Sequence, residues 1–192
     1  MMIHTIGYAG IKLPQFVEIL KQNKITHLID VRSTPRSQYF PDFNDSRLAL
    51  MLKDHNIKYE NWKTEFGARQ DNPEFYTDGI LDFEKFAQSP QFQTGIKKVK
   101  NIIESCGCIC LMCAEIDPFN CHRAILVARN LRDQGFDIKH IVARNSGVEY
   151  QSQQDLEDRL LKLYFKQQSF LGDELETAYK KHNEKIGYKR QN

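Results

Sequence analysis

Short, nearly continuous apolar runs alternate along this chain with stretches whose apolar residues recur every three or four positions. IHTIGYA (3–9) reads as a first strand that ends at a glycine. Pro14 then opens a periodic stretch in which Phe16, Ile19 and Leu20 share one face, a helix ending near Asn23. ITHLIDV (25–31) is a second strand, apolar on both faces as a buried parallel strand requires. The polar loop RSTPRSQYFPDFN follows, then a helix over 45–55 capped by Asn44 or Asp45, then a strand over 57–62. Residues 63–82 hold no sustained period, and a loop of that length inside a domain is more often functional than idle. Helical spacing returns over 83–88 and 92–104. CICLMCAE (108–115) is a fourth strand, 121–135 a helix with Gly135 just past its end, and DIKHIVA (137–143) a fifth strand.

Strands alternating with helices imply an α/β fold, a doubly wound and mainly parallel sheet of about five strands flanked by helices. That unit spans residues 1–150. From 151 to 192 the pattern is a C-terminal helical extension: Leu156, Leu160, Leu161 and Leu163 lie at helical spacing, ready to pack on the body or on a second copy in a homo-oligomer. The closing YKKHNEKIGYKRQN carries six basic groups against one acid and reads as a solvated helix end with a frayed basic tail on the same domain.

Composition changes this picture little. A net charge of +2 gives no general pull toward nucleic acid or membrane, so any basic surface must be local. No segment has the length of a membrane span, and the N-terminus lacks a basic region followed by an apolar one, which points to the cytoplasm. Five cysteines, an odd number with four crowded into CGCICLMC, fit a reducing compartment better than a disulfide framework.

Chemistry collects where open parallel sheets bind ligands, beyond the carboxyl ends of the strands. Gly7-Tyr8, Asp30 to Ser33, and Cys113 to Glu115 end three strands and should surround one crevice. Strand parity divides the cysteines. Cys106, Cys108 and Cys110 share one face as core, while Cys113 and Glu115 share the other at the tip. After the Asp117-Pro118 turn, Cys121, His122 and Arg123 fall in the first turn of a helix, where free amides and the helix dipole favour an anion or a thiolate.

Three readings follow. In the first, Arg32, Arg123 and Arg69 hold an anion, phosphorylated or nucleotide-like, with Tyr8, Ser33, Arg36 and His122 around it. Asp30 and Glu115 then act as an acid–base pair or as magnesium ligands, and Cys121 or Cys113 as nucleophile or redox thiol. In the second, Cys113, Cys121, His122 and a carboxylate hold zinc in a structural role. This is disfavoured because adjacent Cys and His rarely point at one ion. In the third, Cys121 fills space, His122 caps the helix, and Asp30 forms a structural ion pair with Arg32 or Arg123. The cofactor stays open between magnesium and zinc. The partner is a small anionic ligand or, in the alternative of a non-catalytic nucleic-acid-binding module, a nucleic-acid phosphate; no membrane is involved.

Taken together, IHTIGYAG, LIDVRSTPRS, FPDFN, IKYENW, EFGARQDN, LMCAEIDPFNCHR, DIKHIV and QDLEDRLL resemble the family known as domain of unknown function 488 (DUF488), in order and over nearly the whole chain. The resemblance implies an α/β fold with these polar groups around one pocket, and no established reaction. Two positions depart from the family pattern. Gly67-Ala68 stands where two adjacent glycines are usual, and Ala9 where a serine is common.

Overall fold

Six segments pair into one sheet in the computed structural model, which describes residues 1–165 and 173–190. In chain order the strands are β1 (Met2–Gly7), β2 (His27–Asp30) and β3 (Lys58–Asn61), then a small separate hairpin of β4 (Tyr76–Thr77) and β5 (Ile80–Leu81), then β6 (Ile109–Cys113), β7 (Asp137–Arg144) and β8 (Gly147–Ser152). The main sheet runs β3-β2-β6-β1-β7-β8, with every pair parallel except β7–β8. The fold is therefore the doubly wound α/β architecture expected, with β6 inserted between β1 and β2.

Helices α1 (Leu13–Gln22) and α2 (Asp45–Lys53) cover one face. The other is covered by α3 (Lys63–Phe66), α4 (Phe83–Ala87), α5 (Pro90–Glu104), α6 (Arg129–Asp133), α7 (Gln153–Tyr164) and α8 (Glu174–Ile186). Local sequence explains the helix ends. Pro14 sits in the first turn of α1, and the Ser89 hydroxyl accepts from Phe92 N at the start of α5. Gly135 adopts φ +88° just after α6, a left-handed position that only glycine takes without strain.

The alternation along β6 is as its parity requires, but Cys106, expected in the core beside Cys108 and Cys110, is exposed in a turn before the strand begins. Ile109, Leu111 and Cys113 enter the core under α5 to α8, while Cys110 and Met112 enter the core under α1 and α2. Each fully buried Leu, Ile or Met of this kind contributes about 1.5–3 kcal/mol.

Three further features differ from the sequence expectation. A sixth strand, β8, pairs antiparallel with β7, and its residues are almost all exposed, so no hydrophobic period marks it. The stretch 63–82 is not one loop, since it contains α3, a 3-10 turn at Pro73–Phe75 and the β4–β5 hairpin. The basic tail is docked, not frayed, through residue 190. Ala178, Tyr179, His182 and Asn183 of α8 are buried, the Asn183 side chain donates to Leu81 O and accepts from Phe83 N, and Leu81 N donates to Tyr188 O. Residues 191 and 192 of that tail lie outside the described residues.

A buried polar chain ties these C-terminal helices to the sheet. Thr5 Oγ1 lies 2.9 Å from His140 Nδ1, and His140 Nε2 lies 2.9 Å from Gln153 Oε1. Gln153 donates to Tyr179 Oη, which donates to Glu157, and Glu157 pairs with Arg132. His140 is fully buried, and burial, followed by the nearby Arg123 cation, lowers its pKa from 6.5 to about 4. The unfolded chain therefore takes up this proton first as pH falls. The contribution of neutral His140 is complete above about pH 6.5 and is lost progressively toward pH 4, amounting to about 3 kcal/mol at most. Urea unfolding between pH 7.5 and 4.5 should show this decline. His140→Gln should flatten the part of the slope that this residue causes.

Candidate functional site

The carboxyl ends of β1, β2 and β6 open into a crevice of about 320 Å³. Tyr8 follows β1, Arg32, Ser33 and Thr34 follow β2, and Cys113, Ala114 and Glu115 end β6. Ala68 and Arg69 form a wall after α3, Asn120, Cys121 and His122 form the wall after β6, and Ile186 and Tyr188 of the tail close one side. The ends of β1 and β6 press together here. A Cβ at Gly7 would lie 1.7 Å from Glu115 O, and Tyr8 N and Ala9 N donate to Cys113 O and Ala114 O. Gly67 is similarly confined, 2.4 Å from Lys63 O at the position of a Cβ. Ala68 is not among the described residues with positive φ, so its backbone accepts the extra methyl group.

The expected residues separate into two sets. Asp30 is completely buried and accepts from Arg32 N, Nε and Nη2 at 2.6 to 3.1 Å and from Tyr59 Oη at 2.6 Å. Arg32 also donates to Tyr8 Oη at 3.0 Å and to Phe43 O at 2.8 Å. Burial raises the pKa of Tyr59, and the Asp30 charge raises it further. Burial opposes the Arg32 cation, but its bonds to Asp30 more than compensate and hold it charged. Arg32 touches the crevice, yet its donors are largely committed, so the expectation that it holds an anion is corrected to a structural ion pair.

Asp30 and Glu115 are not brought together as paired carboxylates. Asp30 is in register with Met112 on the α1–α2 side, whereas Glu115 has the parity of Cys113 on the opposite side. The magnesium reading loses its geometry with that pair. Arg36 is an exposed residue 3.4 Å from Asp45 and does not line the crevice.

Arg123 has no exposed surface and also lies outside the crevice lining. Its guanidinium donates to Glu115 O at 2.6 Å, to Ile116 O at 3.2 Å and to Thr5 Oγ1 at 3.3 Å. It pairs with neither Asp30 nor Glu115 through their carboxylates; it closes the turn after β6 from below. The anion-holding role is corrected here as well. Of the four arginines, only Arg69 presents an exposed guanidinium to the crevice, lying 4.7 Å from the Tyr188 ring centroid with no acidic partner among the described residues.

The remaining groups converge. One ligand atom each from Cys113, Cys121 and His122 lies within 4.8 Å of the other two, and Cys121 Sγ is 3.0 Å from Glu115 Oε2. Adjacent Cys and His side chains approach one point because the backbone changes state between them. Cys121 is extended (φ −136°, ψ 133°) and His122 is helical (φ −57°, ψ −26°). Asp117 caps the 3-10 turn Pro118–Asn120, and a π-helical turn, Arg123–Ala128, then leads into α6. His122 Nε2 is 3.0 Å from Val31 O, an acceptor only, so this nitrogen carries the ring proton and Nδ1 keeps the lone pair when the ring is neutral.

Electrostatics within the cluster are shared. The hydrogen bond with Cys121 and then burial push the Cys113 thiol well above the usual range. Burial opposes ionisation of Cys121 too, but the Cys113 thiol, the Arg123 cation and His122 together hold it well below. Burial raises Glu115, helped by the Cys121 charge. His122 is raised against its own burial by Cys121 and Glu115. A thiolate on Cys121 with a thiol on Cys113 is the arrangement these groups favour.

Sequence reasoning missed Tyr59, Ile186 and Tyr188. Tyr59 was legible in principle, because β3 pairs with β2 and brings it to the face of Leu28 and Asp30. Nothing in the sequence signals that the tail returns to the crevice.

The sequence model of a family described as Domain of unknown function DUF488 matches residues 12–130, more than half of the chain and all of the crevice except Tyr8 and the tail. No curated protein and no solved structure matches. Among the described residues, no helix is long and apolar enough to cross a membrane.

Breaking a buried ion pair from one side leaves the other charge unpaired, at a cost of about 3–5 kcal/mol. Asp30→Asn should lower stability by that order with no ligand present, read as the urea midpoint. An unchanged midpoint would contradict the structural assignment of the Asp30–Arg32 pair.

Proposed function

This chain belongs to the DUF488 family, and we propose that it is an enzyme-like binder of a small anionic ligand, phosphorylated or nucleotide-like, held in the crevice at the carboxyl ends of β1, β2 and β6. The observation that carries this reading is the state of Arg69. Its neighbours Arg32 and Arg123 are tied to protein acceptors, whereas the Arg69 guanidinium lies at the crevice over the Tyr188 ring, with no acidic partner among the described residues. A planar fork of donors that no carboxylate occupies matches a phosphate or carboxylate ligand.

Hydroxyl groups add to the same surface. Tyr8 Oη accepts from Arg32, and the Ser33 hydroxyl accepts from Arg69 N, which fixes the loop that carries the guanidinium. Cys121, His122 and Glu115 border this surface and supply groups able to exchange protons or form bonds with what binds there. The competing reading, a non-catalytic nucleic-acid module, uses the same arginines together with the basic tail. That tail is part of the fold through Arg190, whose N donates to Gly79 O.

Inorganic pyrophosphate and a nucleoside 5′-monophosphate serve as probes. Either should raise the melting temperature of the wild type, and the rise should shrink with added salt. Arg69→Gln should melt at the wild-type temperature without the probe and bind it about tenfold or more weakly by calorimetry, since a hydrogen-bonded charge contributes about 1.5–3 kcal/mol. No response of the wild type to either probe, or equal affinity in Arg69→Gln, would reject the reading.

A further inference from the structure

Two buried thiols and an imidazole meet at one point on the crevice floor, on elements that are themselves fixed, and the Glu115 carboxylate lies 3.0 Å from one of them, Cys121. Cys113 ends a central strand hydrogen-bonded on both sides, and Cys121 and His122 open the helix anchored by Arg123. We propose that Cys113, Cys121 and His122, with Glu115 as a fourth and displaceable donor, bind one thiophilic divalent cation, zinc.

Four observations support the site. The first is distance. The three donor atoms lie within 4.8 Å of one another, and a tetrahedral zinc ion needs them about 3.5–3.8 Å apart, a contraction of roughly an ångström. The second is the imidazole. Val31 O holds the Nε2 proton at 3.0 Å, which orients the ring and leaves Nδ1 as donor, the outer-shell arrangement common to metal-bound histidines. The third is donor chemistry. Paired sulfurs with one nitrogen select zinc over magnesium or calcium, which take oxygen.

The fourth is charge. Arg123 is fully buried with no carboxylate ion pair among the described residues, and its guanidinium is bound to the turn that joins Cys113 to Cys121. Two thiolates, one carboxylate, a dication and this guanidinium sum to zero, so the filled site supplies the counter-charge that a buried cation needs. With Cys121 already a thiolate, binding releases the Cys113 thiol proton and any proton held by His122 or Glu115 to solvent, and it changes no oxidation state. Glu115 is exposed at the rim, so the coordination position it occupies is the one that faces the crevice.

The test uses full-length, untagged protein, stripped with chelator, reduced to five titratable thiols and kept without oxygen. Titration with cobalt(II) should saturate at one equivalent with a thiolate-to-metal charge-transfer band, and zinc should displace it. Cys113→Ser and Cys121→Ser should abolish the one-equivalent band, and the double variant Cys106→Ser/Cys108→Ser should keep it. His122→Ala, which retains both thiols, should weaken cobalt binding at least tenfold, and circular dichroism confirms the fold of each variant. No band in the reduced wild type would overturn the proposal. So would a band that survives Cys121→Ser, or unchanged affinity in His122→Ala. Because the probe is the metal alone, this outcome is independent of whether Arg69 binds an anion.

Discussion

A guanidinium with no accessible atom must find an acceptor for its N–H groups and a counter-charge nearby, and Arg123 organises the end of the sheet in meeting that demand. Its two outer nitrogens take the carbonyls of Glu115 and Ile116, which forces the chain leaving β6 to fold over the side chain, and its Nε reaches Thr5 on β1. The first helical residues after that turn are therefore delivered back to the strand tip. Cys121 and His122 meet Cys113 and Glu115 because the turn between them is wrapped around a buried cation. Thr5 passes the constraint on through His140, Gln153 and Tyr179 to Glu157 and its partner Arg132, so the packing of α7 and α8 and the geometry of the crevice belong to one hydrogen-bonded system.

The backbone of the opposite wall is set by steric closeness. Gly7 lies against Glu115 O with no room for a side chain, and β1 and β6 can exchange hydrogen bonds beyond their formal ends only because of it. Tyr8 then projects onto Phe43 in a stacked contact with ring centroids 4.3 Å apart, while its hydroxyl meets Arg32. Phe43 comes from the polar loop after β2, and its carbonyl is a further acceptor for the same arginine. The loop is held to the sheet by an ion pair underneath and an aromatic stack above, which keeps Ser33 and Thr34 at the crevice edge.

Much of this was legible from residue patterns, and what was not has specific causes. The parallel strands appear as short apolar runs, and the parity of β6 correctly separates Cys108 and Cys110 from Cys113. β8 was invisible because a strand at the edge of the sheet buries almost nothing and so carries no alternation. The stripe of α8 was missed for a different reason. Ala178, Tyr179, His182 and Asn183 do recur at helical spacing, but half of the stripe is polar and satisfied by hydrogen bonds, so hydropathy does not reveal it. Adjacent Cys121 and His122 were expected to diverge, and that expectation holds within a uniform helix or strand. It fails at the junction between extended and helical backbone, where they stand.

The arginines show most clearly where pattern gives way to geometry. Arg32, Arg69 and Arg123 are chemically identical and all follow strands or loops at the same end of the sheet. Each carries the same donors, so residue type and position alone favour all three equally as ligand contacts. What separates them is whether the fold has already supplied acceptors. Arg32 faces a carboxylate two residues before it, at the end of β2, and Arg123 faces carbonyls that its own turn exposes. Arg69 rests on a ring that can stabilise a cation but accepts no N–H in the plane of the fork. A side chain available for binding is thus one whose hydrogen-bonding capacity the fold leaves open, and by that criterion the open charge at the crevice is Arg69, in the loop after α3.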